Sequence, residues 1–141
     1  METETKKKKE EEKPSYIKTY FPTTADSILN LEEADNQKVK EIIADTKKLM
    51  HDVKSGITYA QLRKVYGLFK VDNLSFKNIQ FIRPKLAYIQ ARLDKQEGKK
   101  FIQMLDDFID KIDTDTSKSE KQIKNLVSFM ESIVAYHKLN A

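Results

Sequence analysis

A run of basic side chains with one tyrosine among them follows Pro84 at a regular spacing. Because residues three and four positions apart share one face of an α-helix, this spacing predicts a basic stripe on the flank of a helix. Lysine and arginine repeated about every 10 Å can follow the phosphates of a nucleic acid strand, and a tyrosine between them can stack on a base or ribose. On spacing alone, a lysine-rich surface that only keeps the helix solvated is the favoured interpretation. The stripe consists of Lys85, Tyr88, Arg92, Lys95 and Lys99.

Basic charge is concentrated in the middle of the chain. Residues 54–100 carry eleven Lys or Arg and three acidic residues, a local net charge of +8, and they include a second basic group at Arg63, Lys64 and Lys70. Residues 101–115 carry five Asp and one Lys, a local net charge of −4. This asymmetry indicates an anionic partner for the middle of the chain. For Arg63, a plain solvated arginine is the alternative interpretation.

Side chains that could perform catalysis or bind a metal are few. The chain has no cysteine, and its two histidines, His51 and His137, lack any spacing typical of a metal site. Asp106, Asp110 and Asp113 share the face of one predicted helix opposite its core, where we expect a solvated surface or a patch that docks a basic neighbour. The sequence therefore predicts no catalytic residue, no metal and no cofactor. A metal-dependent nuclease using Asp106 and Asp110 is the enzyme alternative.

The composition favours long helices. Only three Gly and three Pro occur, too few for the turns of a many-stranded fold. We therefore expect an all-α fold, a single-domain bundle of about five helices over residues 23–141. Residues 1–22 alternate blocks of Lys and Glu around two prolines and are predicted to be a disordered charged tail. The chain has no long apolar segment and no cysteine, so we predict a cytoplasmic protein without membrane contact.

Polar residues at characteristic spacings predict where helices begin. Thr58 and Gln61 match a capping box, in which each side chain bonds the backbone amide of the other residue. Ser75 is a further predicted cap. Ser119 and Gln122 match a second capping box, at the start of the last helix.

Pro84 and Gly98 interrupt the helical pattern. The apolar stripe keeps its phase across Pro84, so we expect one kinked helix there rather than two helices. Gly98 is expected to separate this third helix from the fourth. The first, second and fourth helices are predicted at residues 35–54, 59–71 and 99–113. The fifth is predicted to end at His137 and Lys138, as cations at its negative dipole end or, for His137, as a backbone contact.

Three strings in the second half of the chain resemble a known family. They are YAQLRKVY at residues 59–66, RPKLAYIQAR at residues 83–92 and FMESIVAYHKLNA at residues 129–141. In this order and at this spacing they resemble the small-subunit family of the type III-A CRISPR effector, the Csm complex, over about residues 57–141. Family members often continue past such a closing string with an aromatic residue and two glycines, whereas this chain stops at Ala141.

The resemblance implies a non-catalytic bundle that stacks head to tail into a minor filament, with a dimer as the simpler self-association. The minor filament would lie beside the repeated backbone subunits that hold the guide RNA, and would contact target RNA and the guide–target duplex. In that family the backbone subunit cleaves the target, and the large polymerase-like subunit carries out the nucleotide chemistry.

The resemblance and the charge pattern together give a set of predicted nucleic-acid-binding residues. Motif match assigns phosphate contacts to Arg63, Lys64, Lys85 and Arg92, while Tyr88 can also be structural within its motif. A rival hypothesis is a helical protein-interaction subunit without RNA contact, whose basic face stacks on the acidic face of the next copy. The full predicted set is Arg63, Lys64, Lys85, Tyr88, Arg92, Lys95, Lys99 and Lys138.

Overall fold

The described part of the chain, residues 16–140 of a computed structural model, is built from helices and contains no strand. This confirms the predicted all-α class, and five of the helices have eleven or more residues. A short 3₁₀ turn, Leu31–Glu33, precedes the second helix. The α-helices are α1 Tyr16–Tyr20, α2 Asn36–Val53, α3 Tyr59–Phe69, α4 Phe76–Gln80, α5 Ile82–Arg92, α6 Gln96–Asp110 and α7 Thr116–Asn140.

The longest helix, α7, organises the bundle. Helices α2 and α3 pack against it, while α5 and α6 form an adjacent pair. At the centre, the ring of Phe129 on α7 lies 5.4 Å from that of Phe21 and 5.3 Å from that of Phe108. Tilted aromatic pairs of this kind stabilise a core by about 0.5–1.5 kcal/mol beyond the area they bury.

The N-terminal boundary of the bundle differs from the prediction. Residues 1–15 of the expected tail lie outside the described residues, but residues 16–22 are part of the fold. Ile17 and Phe21 are fully buried, and the backbone amide of Tyr16 donates to Asp107 on α6. The prediction of a disordered tail up to residue 22 is therefore wrong for its last residues, because two apolar side chains suffice to anchor one helical turn.

Two of the predicted caps are confirmed. The Gln61 amide donates to the Thr58 hydroxyl oxygen at 3.1 Å, and the Thr58 amide donates to the Gln61 side chain at 2.8 Å, which completes the capping box of α3. The Ser75 hydroxyl accepts the Asn78 amide at 3.1 Å and caps α4.

The second predicted capping box is wrong. Helix α7 begins at Thr116, and the Asp115 carboxylate accepts the amide of Ser117 at 3.0 Å. Ser119 is thus already inside the helix. The Gln122 side chain instead accepts the amide of Asp113 at 2.7 Å, which fastens the preceding loop.

The region around Pro84 consists of two helices, so the expected kink within one helix is wrong. Helix α4 ends at Gln80 and α5 begins at Ile82, with Phe81 between them. Pro84 lies in the first turn of α5, where a missing amide N–H removes no helical hydrogen bond. Phe81 keeps a helical backbone, with φ −76° and ψ −7°, so the apolar positions stay in phase across the break.

Gly98 lies within the first turn of α6, and its predicted role as a separator is wrong. The separation falls at Leu93 and Lys95, whose backbones are extended. Gly98 instead packs against Gly56, where a Cβ at either position would overlap the other glycine's backbone. This contact joins the end of α2 to the start of α6. No helix in the described range is both long and apolar enough to cross a bilayer.

Candidate nucleic-acid interface

Helix α5 buries one face and exposes a basic flank. Ile82 and Leu86 are buried, and the next apolar residue in phase, Leu93, is buried just beyond the helix. Lys85 and Arg92 are exposed on the flank between these apolar positions and solvent, and Tyr88 between them is 64 % exposed. The periodicity of the sequence therefore predicted the location of these three side chains correctly.

Tyr88 and Arg92 form a pair on this flank. Nη1 of Arg92 donates to the Tyr88 hydroxyl at 2.8 Å, and the guanidinium carbon lies 5.5 Å from the centre of the tyrosine ring. Residues at i and i+4 are neighbours on a helix surface, so the pair forms without help from another element. The contact restricts the arginine side chain and leaves most of its N–H donors facing outward.

The predicted stripe does not continue along one helix past Arg92. Leu93 leaves the helix with ψ 140°, and Lys95 is the exposed N-cap residue of α6. Lys99 lies on α6 and is half-buried, with its carbonyl oxygen accepting a hydrogen bond from Gln90 at 2.9 Å. The prediction of one five-residue helical stripe is therefore wrong for Lys95 and Lys99, because the chain turns back between them and α5.

Basic side chains from α3 and α7 also meet around Tyr59. Nη1 of Arg63 donates to the Tyr59 hydroxyl at 3.2 Å, and this hydrogen bond raises the pKa of the guanidinium above its usual value. Nζ of Lys138 lies 4.7 Å from the centre of the same tyrosine ring. The fold thus brings two predicted residues together around Tyr59, a residue that the predicted set lacked.

His137 lies beside Tyr59 and contacts the backbone that precedes α3. It is buried, its ring lies 6.1 Å from that of Tyr59, and its Nε2 lies 2.7 Å from the carbonyl oxygen of Ile57. Because a carbonyl only accepts, Nε2 carries the proton in this contact. His137 therefore makes the backbone contact that was one of its two predicted roles.

Lys64 and Lys70, the other two members of the basic group that includes Arg63, differ in their surroundings. Lys64 is exposed on α3. Lys70 lies 3.7 Å from the Glu131 carboxylate and 5.9 Å from the centre of the Tyr66 ring, so its charge is partly balanced within the molecule. Lys64 remains a candidate contact, whereas Lys70 is a weaker one.

The cations of the predicted set keep their charge unbalanced by carboxylates. Within residues 16–140, the side-chain ion pairs shorter than 4.0 Å involve Lys70, Arg83 and Lys111. None of the seven predicted lysines and arginines takes part in them. An uncompensated cationic surface attracts anions over about a Debye length, roughly 8–10 Å at physiological salt.

The opposite flank of α5 carries an arginine whose charge is balanced by carboxylates. Nε of Arg83 lies 2.8 Å from a carboxylate oxygen of Asp106, and its Nη1 lies 3.2 Å from one of Asp110. The Asp106 hydrogen bond raises the pKa of Arg83. Asp106 is thus part-buried against α5 rather than solvated, and of the two expectations for this acidic face it meets the second, a carboxylate that docks a basic neighbour. Asp110 is exposed, while Asp113 accepts the amide of Asp115 at 2.9 Å.

Asp107 follows Asp106 on α6 and is partly buried. Burial raises the pKa of Asp107, although hydrogen bonds from Gln103 and from the backbone amide of Tyr16 oppose the shift. Among residues 16–140, no three His, Cys, Asp or Glu side chains converge in a way that could hold a metal ion.

The sequence reasoning missed one exposed residue on the basic flank. Phe81 is 73 % exposed and lies four positions before Lys85, in the same helical phase as Lys85, Tyr88 and Arg92. The signal was present, since Phe81 is out of phase with the buried stripe of Ile79, Ile82 and Leu86.

Comparison with known proteins identifies a family. A family model described as Csm2 Type III-A matches residues 36–141, well over half of the chain. No curated protein and no solved structure matched it. The matched range includes α2 to α7 and both basic groups. The chain therefore belongs to the Csm2 Type III-A family, the small subunits of the type III-A Csm complex.

Proposed function

We propose that this chain is a non-catalytic structural subunit of a type III-A CRISPR ribonucleoprotein that binds RNA through the basic flank of α5. The flank contacts the sugar-phosphate backbone of the target RNA and of the guide–target duplex. The observation that carries the proposal is that Lys85 and Arg92 are exposed on one flank of a helix and, among residues 16–140, form no ion pair with a carboxylate. Contacts of this kind read phosphates and shape, while base pairing elsewhere supplies sequence.

The group around Tyr59 forms a second contact with the RNA. The charged groups of Arg63 and Lys138 both lie against the ring of Tyr59, so they are positioned before RNA binds. Preorganised cations lose less side-chain entropy on binding than free ones do. Lys64, Lys95 and Lys99 add long-range attraction for the same anionic strand.

Family membership makes other subunits of the Csm complex partners of this chain. We propose that these include the repeated backbone subunit and the large polymerase-like subunit, and that copies of the chain stack into a filament. The lack of cysteine is compatible with a reducing cytoplasm, where we propose that the complex works.

The rival function is a protein-interaction subunit without RNA contact, in which a basic face docks on an acidic one. Such docking needs free carboxylates on the acidic face. Asp106 is already paired with Arg83 of the same chain, and Asp110 shares that arginine. This pairing weakens the acidic face and favours RNA as the anion on the basic flank.

Photo-crosslinking in the assembled complex separates the two functions. A photoreactive amino acid replaces Lys85 on α5 or, as a matched control, Lys48, an exposed lysine on α2, which packs mainly against α7. With target RNA bound, we expect RNA adducts from position 85 and none from position 48. Adducts from position 85 to protein subunits alone would support the rival function.

The nuclease alternative has its own test. We expect the purified chain to leave RNA intact with Mg²⁺ or Mn²⁺ present, because Asp106 is tied to Arg83 rather than free to bind a cation. Divalent-dependent cleavage that disappears when Asp106 and Asp110 are both changed to Asn would contradict the non-catalytic role.

A further inference from the structure

Phe81 is an aromatic side chain that the described part of the chain leaves largely exposed to water. It is 73 % exposed, although it lies in the middle of the α4–α5 segment rather than at a chain end. Large aromatic side chains are usually among the most buried contributors to a core, so an open phenyl ring on a helical segment points to a binding role.

The ring stands in line with the basic flank. Because Phe81 keeps a helical backbone, it shares a face with Lys85, Tyr88 and Arg92 at spacings of four, three and four residues. At a rise of 1.5 Å per residue, Phe81 lies about 6 Å from Lys85 along the helix axis. The flank therefore alternates a ring, a cation, a ring and a cation.

The two rings of this flank are in different states. Tyr88 is engaged by Arg92 through a hydrogen bond and a ring contact, so one of its faces is occupied. For Phe81, no ring partner and no cation over the ring is found among residues 16–140. Phe81 is thus the ring on this flank whose faces remain open to a ligand.

We propose that Phe81 is a stacking platform for one unpaired base of an RNA strand whose phosphates lie along Lys85 and Arg92. This inference rests on the proposed function and adds to it a contact with a base. A nucleotide satisfies both chemistries at once, since a base covers the ring and its phosphate meets the neighbouring cation. An apolar protein pocket over Phe81 would have to bring Lys85 out of water without a partner, which is unfavourable.

The first test uses the full-length chain, a single-stranded RNA and inorganic polyphosphate, a polyanion without bases. We expect Phe81→Ala to weaken RNA binding by about 5- to 150-fold, the range measured for removing one base–aromatic stack. Binding of polyphosphate should not change, and the salt dependence of RNA binding should keep its slope because no charge is removed. Val71→Ala is the matched control, since Val71 is 51 % exposed and lies beyond the end of α3, off this flank.

The second test reads stacking directly. The chain contains no tryptophan, so Phe81→Trp introduces a single indole at the proposed platform, and excitation near the red edge of its absorption separates its emission from that of the tyrosines. RNA should quench its emission while polyphosphate does not, and the emission of Val71→Trp should be insensitive to both. Unchanged emission of Phe81→Trp under conditions where RNA is bound would overturn the inference.

The inference and the proposed function fail differently. If Arg92→Ala lowers the salt dependence of RNA binding but Phe81→Ala leaves RNA affinity unchanged, the stacking platform alone is wrong. If Phe81→Ala instead weakens assembly with the other subunits and not RNA binding, Phe81 is a protein contact and the inference is also overturned. A chain whose RNA binding is indifferent to salt and to Arg92→Ala would remove the proposed function itself.

Discussion

Arg83 and Arg92 lie at opposite ends of α5, and the two flanks of this helix use the same side chain in opposite ways. Arg83 faces α6, where its guanidinium is held by Asp106 and Asp110 and is only about one third exposed. Arg92 is exposed and contacts Tyr88 of its own helix. One flank thus joins two helices, and the other remains open to a ligand.

These two arginines show that the side chains next to an arginine decide its role. The position of the arginine in the sequence pattern does not. A paired, part-buried arginine contributes mainly to stability, because its charge is already balanced. An exposed arginine beside a tyrosine contributes little to stability and keeps its charge for a partner. Stability and RNA binding should therefore separate cleanly between the two flanks.

The largest expected effect on stability comes from disrupting the contact between Gly56 and Gly98, which joins the end of α2 to the start of α6. Gly98→Ala would place a Cβ into the carbonyl of Gly56 and push α6 away from α2. We expect a loss of about 3 kcal/mol or more in the free energy of unfolding, measured by urea denaturation. Gly67→Ala is the control, since a Cβ there meets nothing within 4 Å on an exposed helix, and it should stabilise by about 0.5–1 kcal/mol. Equal stability of the two variants would show that the glycine contact is not needed.

A smaller effect is expected from the paired flank itself. Arg83→Ala leaves Asp106 part-buried without its cation, so we expect the free energy of unfolding to fall by about 1–2 kcal/mol. The matched change on the open flank, Arg92→Ala, should alter it by less than about 0.5 kcal/mol. If both variants lose the same stability, the two flanks do not differ as described.

The smallest expected effect is a change in how the free energy of unfolding depends on pH, and it comes from Asp107 beside the paired flank. Burial raises the pKa of Asp107 above its unfolded value, so the native state binds the proton more readily and this group lowers stability as pH rises through its titration range. Asp107→Asn removes that penalty and should stabilise the chain by less than about 1 kcal/mol at pH 7, since the group is partly exposed. The gain should shrink as pH falls toward 4. A gain that stays constant with pH would mean that burial does not govern this carboxyl.

Local signals in the sequence predicted the starts of α3 and α4, because a cap is a contact between residues three positions apart. The capping box at Thr58 and the cap at Ser75 formed as expected. Ser119 failed because Asp115, an equally good cap, comes first along the chain, and because Gln122 is drawn to a loop amide. Spacing alone does not rank two competing caps.

The candidate site was predictable as far as it lies on one helix. Lys85, Tyr88 and Arg92 are exposed as their periodicity indicated. The pairing of Asp106 with Arg83 and the approach of Lys138 to Tyr59 join different helices, so they depend on packing that no spacing reveals. The sequence could therefore give the faces of the helices but not which faces meet.

The most direct test of the account is the salt dependence of RNA affinity for the native chain, Arg92→Ala and Arg83→Ala. We predict that Arg92→Ala makes the plot of log affinity against log salt shallower by about one unit, as for the loss of one phosphate contact. Arg83→Ala should leave that slope unchanged, because its charge is already balanced by Asp106 and Asp110. The same slope for the native chain and Arg92→Ala, or a shallower slope for Arg83→Ala alone, would contradict the assignment of RNA binding to the open flank of α5.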